Sequence, residues 1–141
     1  MKETWQKAIK FVLDHEGGYN YHPQDPGGET NFGISKRSYP SLNIATLTED
    51  EAKKIYKADY WDMLKLDDIL FPFDILIFDT AVNCGIGRAN KWMDESDHWE
   101  QFLLKRIFHY VKLAQNVKYQ PYLRGWLNRV MDLYEEISQD A

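Results

Sequence analysis

Between Phe73 and Asn83 the chain is apolar on nearly every side, interrupted only by Asp74, Asp79 and Asn83. A segment that shows no polar face must be surrounded by other elements, so whatever this chain folds into is organised around it. Phe-Asp-Ile-Leu-Ile-Phe by itself also fits a buried strand. Its continuation through Asp79-Thr80-Ala81-Val82-Asn83 favours a central helix. The carboxylate of Asp79 then needs an internal partner, and Arg124 and Arg129 are the candidates. Asp79 and Asn83, four apart, share one helical face, either in a structural network or at the floor of a cleft.

Amphipathic helices are expected around this element. Trp5, Ala8, Ile9, Val12 and Leu13 recur at helical spacing over residues 4–16, and Gly17-Gly18 stops that helix. Thr48-Glu49-Asp50-Glu51 is a capping box opening a helix to about residue 63. Residues 98–115 carry a third pattern, and Pro121 fits the first turn of a last helix with Leu123, Trp126, Leu127, Val130, Met131, Tyr134 and Ile137. Residues 34–40 read as a short helical turn closed by Pro40. Trp99, Tyr110, Trp126 and Tyr134 read as core rings. The fold class is mainly α, and 141 residues suit one domain.

One segment departs from this pattern. Residues 17–33 hold five Gly and two Pro among Tyr19, Tyr21 and Phe32. The segment is too aromatic for a linker and too long to lack a purpose. It reads as an ordered loop or small hairpin, with Pro23 and Pro26 confining any strand to an edge.

The acidic balance, 17 Lys+Arg against 22 Asp+Glu for a net charge of -5, argues against a nucleic-acid partner. The apolar stretches are too short for a membrane span or a signal peptide, so synthesis in the cytoplasm is expected. Cys84 stands alone, reads as a small buried residue, and cannot form an internal disulfide. His15, His22 and Asp25 match no common metal-ligand spacing, so neither metal nor cofactor is expected. Aromatic residues are abundant, with 5 Trp, 9 Tyr and 7 Phe. Such rings either fill the core or present flat faces to sugars.

Glu16 sits against a local rule. A carboxylate in the last turn of a helix faces the negative end of the macrodipole, where its charged form is disfavoured. A carboxylic acid that keeps its proton is what general acid catalysis requires. Asp25 follows nine positions later and Thr30 five beyond that, across Pro26-Gly27-Gly28. Two carboxyl groups in unlike environments beside a cleft are the working parts of glycoside hydrolysis. Asp25 and Thr30 fit the activation of water. Asp25 equally fits an Asx turn before Pro26, Thr30 a loop cap, and Glu29 is a rival second carboxylate.

The run His15-Glu16-Gly17-Gly18-Tyr19, with Asp25-Pro26-Gly27-Gly28-Glu29-Thr30-Asn31-Phe32-Gly33-Ile34-Ser35, resembles the signature of glycoside hydrolase family 108. Its members are lysozyme-like N-acetylmuramidases of phage endolysins and prophages, often labelled secretion activator proteins. Thr48 to Ala52, Ile55-Tyr56, Tyr60-Trp61-Asp62 and Phe78 to Gly85 are further matches. The resemblance implies a lysozyme-like helical domain, peptidoglycan as substrate, cleavage between N-acetylmuramic acid and N-acetylglucosamine, and Glu16 as catalytic acid. The order of Glu16, Asp25 and Thr30 is similar to that of phage-type lysozymes, which implies that Asp25 and Thr30 hold the water. Tyr19, Tyr21, Asn31 and Phe32 are the candidate sugar contacts.

Residues 91–141, with Arg106 to Tyr110, Leu113-Ala114 and Tyr122 to Val130, look like a shortened version of the family's peptidoglycan-binding segment. Residues 1–90 hold the catalytic motifs, and the remaining helices are expected to complete a single domain over 1–141. A monomer reaching the wall by a holin, a secretion route or lysis follows. A lytic transglycosylase, or a non-catalytic wall-binding or secretion-linked protein, are the competing readings.

Overall fold

The first helix, α1, runs Glu3–Glu16 and buries Trp5, Ala8, Ile9, Phe11 and Val12, the stripe its periodicity marks out. The computed structural model describes residues 3–24 and 27–139, and the chain divides into two compact units, one to Lys65 and one from Leu66. The mainly helical expectation holds in both.

In the first unit α1 is followed by three short antiparallel strands in sequential order: β1 Asn20–Tyr21, β2 Glu29–Asn31 and β3 Ile34–Ser35. Asn20 pairs with Thr30, Thr30 with Ser35, and Asn31 with Ile34. The helical turn expected at 34–40 is therefore replaced at its start by a strand. Phe32 and Gly33 reverse the chain, with φ of 53° and 78°, and positive φ at both central residues is the conformation a tight hairpin turn requires. Turn structure follows β3, where the Tyr39 amide donates to the Ser35 carbonyl at 3.0 Å.

Helix α2, Glu49–Tyr56, starts at the capping box read from the sequence. The Glu51 amide donates to Thr48 Oγ1 at 3.2 Å and the Thr48 amide to Glu51 Oε1 at 3.0 Å. These bonds hold the Glu51 carboxyl below the usual range. The helix was expected to run unbroken to residue 63. It widens instead into a π-helical segment, Lys57–Asp62, that buries Trp61 edge-on against Trp5 at 5.4 Å.

The second unit is built on α3, Phe73–Cys84, where residues 74–81 and Cys84 are all buried. It packs with α4, Ile86–Asp94, and α5, Trp99–Leu113, and α5 packs with α6, Leu123–Ser138. Helix α4 is absent from the sequence reading, which ended the central element at Gly85 and Gly87. Gly85 adopts φ 97°, turning the chain so that a new helix starts at the next residue. Pro121 lies in a 3-10 turn just ahead of α6.

The internal partner of Asp79 is double. Arg129 Nη2 lies 2.7 Å from Asp79 Oδ1 and Arg106 Nη1 2.8 Å from Oδ2, with Asp79 and Arg106 fully buried. Arg129 is one of the two arginines expected; Arg124 is exposed. Tyr110 ties the network to α3, its hydroxyl donating to Asn83 Oδ1 and accepting from Arg106 Nε. Asp79 and Asn83 are thus structural. Trp126 stacks on Tyr110 at 5.0 Å. Tyr134, expected in the core, is exposed instead and leans on Trp99.

Candidate active site

Glu16 ends α1, and Gly17 directly after it takes φ 77°, the left-handed conformation that lets a chain leave a helix sharply. The last turn is fixed by His15. Its ring stacks on Phe11 at 4.2 Å and Nδ1 is 2.9 Å from the Phe11 carbonyl. The Glu16 side chain is half-buried, and it meets the hairpin turn between β2 and β3.

The contact is close enough to dictate a residue type. A Cβ on Gly33 would lie 2.8 Å from Glu16 Cγ, 2.8 Å from Glu16 Oε2 and 2.6 Å from the Tyr56 hydroxyl. Any side chain there must push Glu16 or Tyr56 aside. The Tyr56 hydroxyl donates to the Phe32 carbonyl at 2.7 Å, which clamps the turn from α2. One turn further, in the π-helical segment, Tyr60 stands with its ring 5.7 Å from that of Tyr56. Burial, then the nearby carboxylates of Asp59 and Glu16, push the Tyr60 hydroxyl above its ordinary range. It therefore stays protonated and able to donate. Glu16 is thus framed by glycine backbone, Tyr56 and Tyr60.

Gly33→Ala tests this packing. A left-handed alanine costs about 1–2 kcal/mol before any collision, and the clash adds to it. Denaturant unfolding is expected to give a loss of about 2 kcal/mol or more.

The other site candidates do not share one placement. Thr30, in β2, is half-buried and points to the face of the sheet opposite Glu29 and Asn31, because neighbouring strand residues alternate. It lies three residues before Gly33. Tyr19 and Tyr21 are exposed, and the Tyr19 hydroxyl donates to Glu29 Oε2 at 2.6 Å, which raises its pKa. Phe32 is half-buried within the turn itself. Asp25 lies outside the described residues.

Asn31 has a different task from the sugar contact expected of it. It is 7% exposed, and its Nδ2 donates to the Ile44 carbonyl at 3.1 Å and to that of Leu47 at 3.5 Å. The register puts it on the buried face, where its amide holds the segment leading to α2. Asn31→Ala leaves two buried carbonyls without this donor, and a stability loss of about 1–3 kcal/mol is expected in a thermal or denaturant melt.

Sequence reasoning missed Tyr56 and Tyr60 as site residues. Their spacing of four, on a helix opening with a capping box, reads as ordinary packing until the hairpin is set against them. Among the described residues no group of three or more His, Cys, Asp or Glu is placed to hold a metal ion.

Two comparisons bear on this arrangement. The family model Glycosyl hydrolase 108 matches residues 9–85, a span containing Glu16, Thr30, Gly33, Tyr56 and Tyr60. The solved structure of Brucella abortus SagA is similar in fold, with a TM-score of 0.79 and 24% sequence identity, covering 100% of this chain and 99% of that one. No curated protein matches.

Proposed function

The chain belongs to the glycosyl hydrolase 108 family, and on that premise we propose that it is an N-acetylmuramidase cutting peptidoglycan between N-acetylmuramic acid and N-acetylglucosamine. The observation that carries the reading is the seating of Glu16. A carboxyl group at the end of a helix is held against Gly33, where the turn leaves no room for a Cβ without displacing Glu16 or Tyr56, and it lies near Tyr56 and Tyr60.

In this reading Glu16 donates its proton to the glycosidic oxygen as the bond breaks. Asp25 activates or orients the water that attacks the sugar, and Thr30 positions that water. Tyr19, Tyr21 and Phe32 offer ring faces along the glycan. The substrate lies outside the cytoplasmic membrane, so a chain made in the cytoplasm acts after release or export, through a holin, a secretion route or lysis. It works as a monomer, with the helices after residue 90 completing the catalytic domain rather than forming a separate wall-binding module. Among the described residues no helix is long and apolar enough to cross a membrane.

Mass spectrometry of digested peptidoglycan tests the bond. Products with reducing-end N-acetylmuramic acid are expected, and Asp25→Asn is expected to suppress their formation. Reducing-end N-acetylglucosamine or free peptides would overturn the assignment. Products with 1,6-anhydro ends, made as well by Asp25→Asn as by wild type, would make the protein a lytic transglycosylase.

A further inference from the structure

Helix α5 leaves Leu104, Phe108 and Val111 exposed at 54%, 71% and 40%, spaced as one stripe along the helix. Beside Phe108 and Val111, between α4 and α5, runs a groove of about 570 Å³ whose lining includes Arg88, Lys91, Lys105 and Lys112 and no carboxylate. This is an unusual concentration of positive charge in a chain of net charge -5. Glu95 stands next to it, 3.3 Å from Lys105 and 3.8 Å from Lys91.

The groove has a firm base. Trp92 is buried and packs against His109 at 5.4 Å, and Arg88 is anchored by a 3.0 Å bond from Nη1 to the Cys84 carbonyl. His109 is held below its ordinary pKa by burial and by Arg88 and Arg106. The positive charge at neutral pH therefore belongs to the arginine and the three lysines. Glu95 offsets one of these four charges through Lys91 and Lys105, and an anion laid in the groove relieves the repulsion among the positive charge that remains.

A free phosphate would satisfy the cations and leave Phe108 and Val111 in water. An assembly with anionic heads over hydrocarbon satisfies both. We propose that this face of α4 and α5 docks on an anionic phospholipid bilayer, with headgroup phosphates against Arg88, Lys91, Lys105 and Lys112 and with Phe108 entering the boundary between headgroups and acyl chains. Interfacial binding of this kind combines a small apolar insertion with charge attraction. Glu100 and Glu135 rim the apolar groove on the other side of Leu104, so the contact is one-sided and confined to the α4 flank. The proposal does not rest on the muramidase reading.

Co-sedimentation of the full chain with vesicles tests it. Vesicles mixing phosphatidylglycerol with phosphatidylcholine are expected to retain the protein at low salt at least about tenfold better than phosphatidylcholine alone, and to release it at high salt. The double variant Lys105→Gln/Lys112→Gln is expected to lower that partition about tenfold or more, and Phe108→Ser several-fold, with circular dichroism unchanged. Glu16→Gln is expected to bind as wild type does. Equal retention on neutral vesicles would overturn the proposal, as would wild-type binding by the lysine variant. Soluble glycerol phosphate provides the free-phosphate arm. If millimolar amounts displace the protein from vesicles, the site serves a small phosphate ester and the membrane assignment fails.

Discussion

Glu16→Gln is expected to slow cleavage of the glycan by about a hundredfold to ten-thousandfold, the range a positioned proton donor contributes. Glutamine keeps the shape of the side chain and its ability to bond through the carboxamide. It packs against Gly33 and beside Tyr56 as glutamate does, so melting temperature should stay close to wild type. Only the transferable proton is gone. That separation makes the variant informative, because a loss of rate with a native melt assigns the loss to chemistry. Tyr60→Phe offers the matching control on the surroundings. It removes one donor near Glu16 and should cost far less than Glu16→Gln does. A Glu16→Gln protein that clears a cell-wall suspension at the wild-type rate would remove Glu16 from the mechanism. If neither protein clears the wall, a non-catalytic reading gains instead.

What the sequence made legible follows from how local each signal is. Helices α1, α3 and α5 each bury residues at helical spacing or all round, and the α2 capping box is a four-residue interaction complete in itself. Helix α4 has no comparable signal. Its buried residues are Ala89 and Trp92 alone, and it starts one residue after a glycine that normally marks an end. The hairpin hid a strand at Ile34 because two-residue strands have no periodicity; what decides them is the reversal at Phe32-Gly33. Glu16 was conspicuous because it breaks a helix-end rule within a distinctive motif. Tyr56 and Tyr60 were not, since their place beside Glu16 depends on the turn closing over α2 from more than twenty residues away. Asn31 shows the reverse error. A polar residue next to Thr30 reads as a ligand contact, yet strand alternation sends the two side chains to opposite faces. Arg106, which shares Asp79 with Arg129, carries no pairing signal of its own and is identified only by folding.

Asp79→Ala is expected to be the most destabilising single change, costing about 3–5 kcal/mol, because it strands two guanidinium groups in the interior of the second unit. Asp79 is their shared counter-ion, and one nitrogen of Arg106, Nη2, has no hydrogen-bond partner among the described residues even with Asp79 present. Removing the carboxylate leaves like charges facing each other without solvent. A buried ion cluster is nonetheless expensive to assemble, so its net contribution is much smaller than the cost of breaking it. Replacing all three members together, as Asp79→Leu/Arg106→Met/Arg129→Met, should therefore cost less than Asp79→Ala alone. Equal or greater loss in the triple variant would show that the network is itself stabilising. The same cluster sets a pH dependence. Burial pushes the Asp79 carboxyl up, but Arg106 and Arg129 outweigh it and hold the folded-state pKa below the ordinary value. A depressed pKa means the unfolded chain takes up the proton first. The contribution is thus complete above the ordinary carboxylate value near 4 and is lost as pH falls through the lower folded-state value. Urea midpoints measured from pH 7 down to about pH 2 should fall at the acid end. In the triple variant that part of the acid sensitivity should be missing, which separates Asp79 from the surface carboxylates that titrate in both proteins.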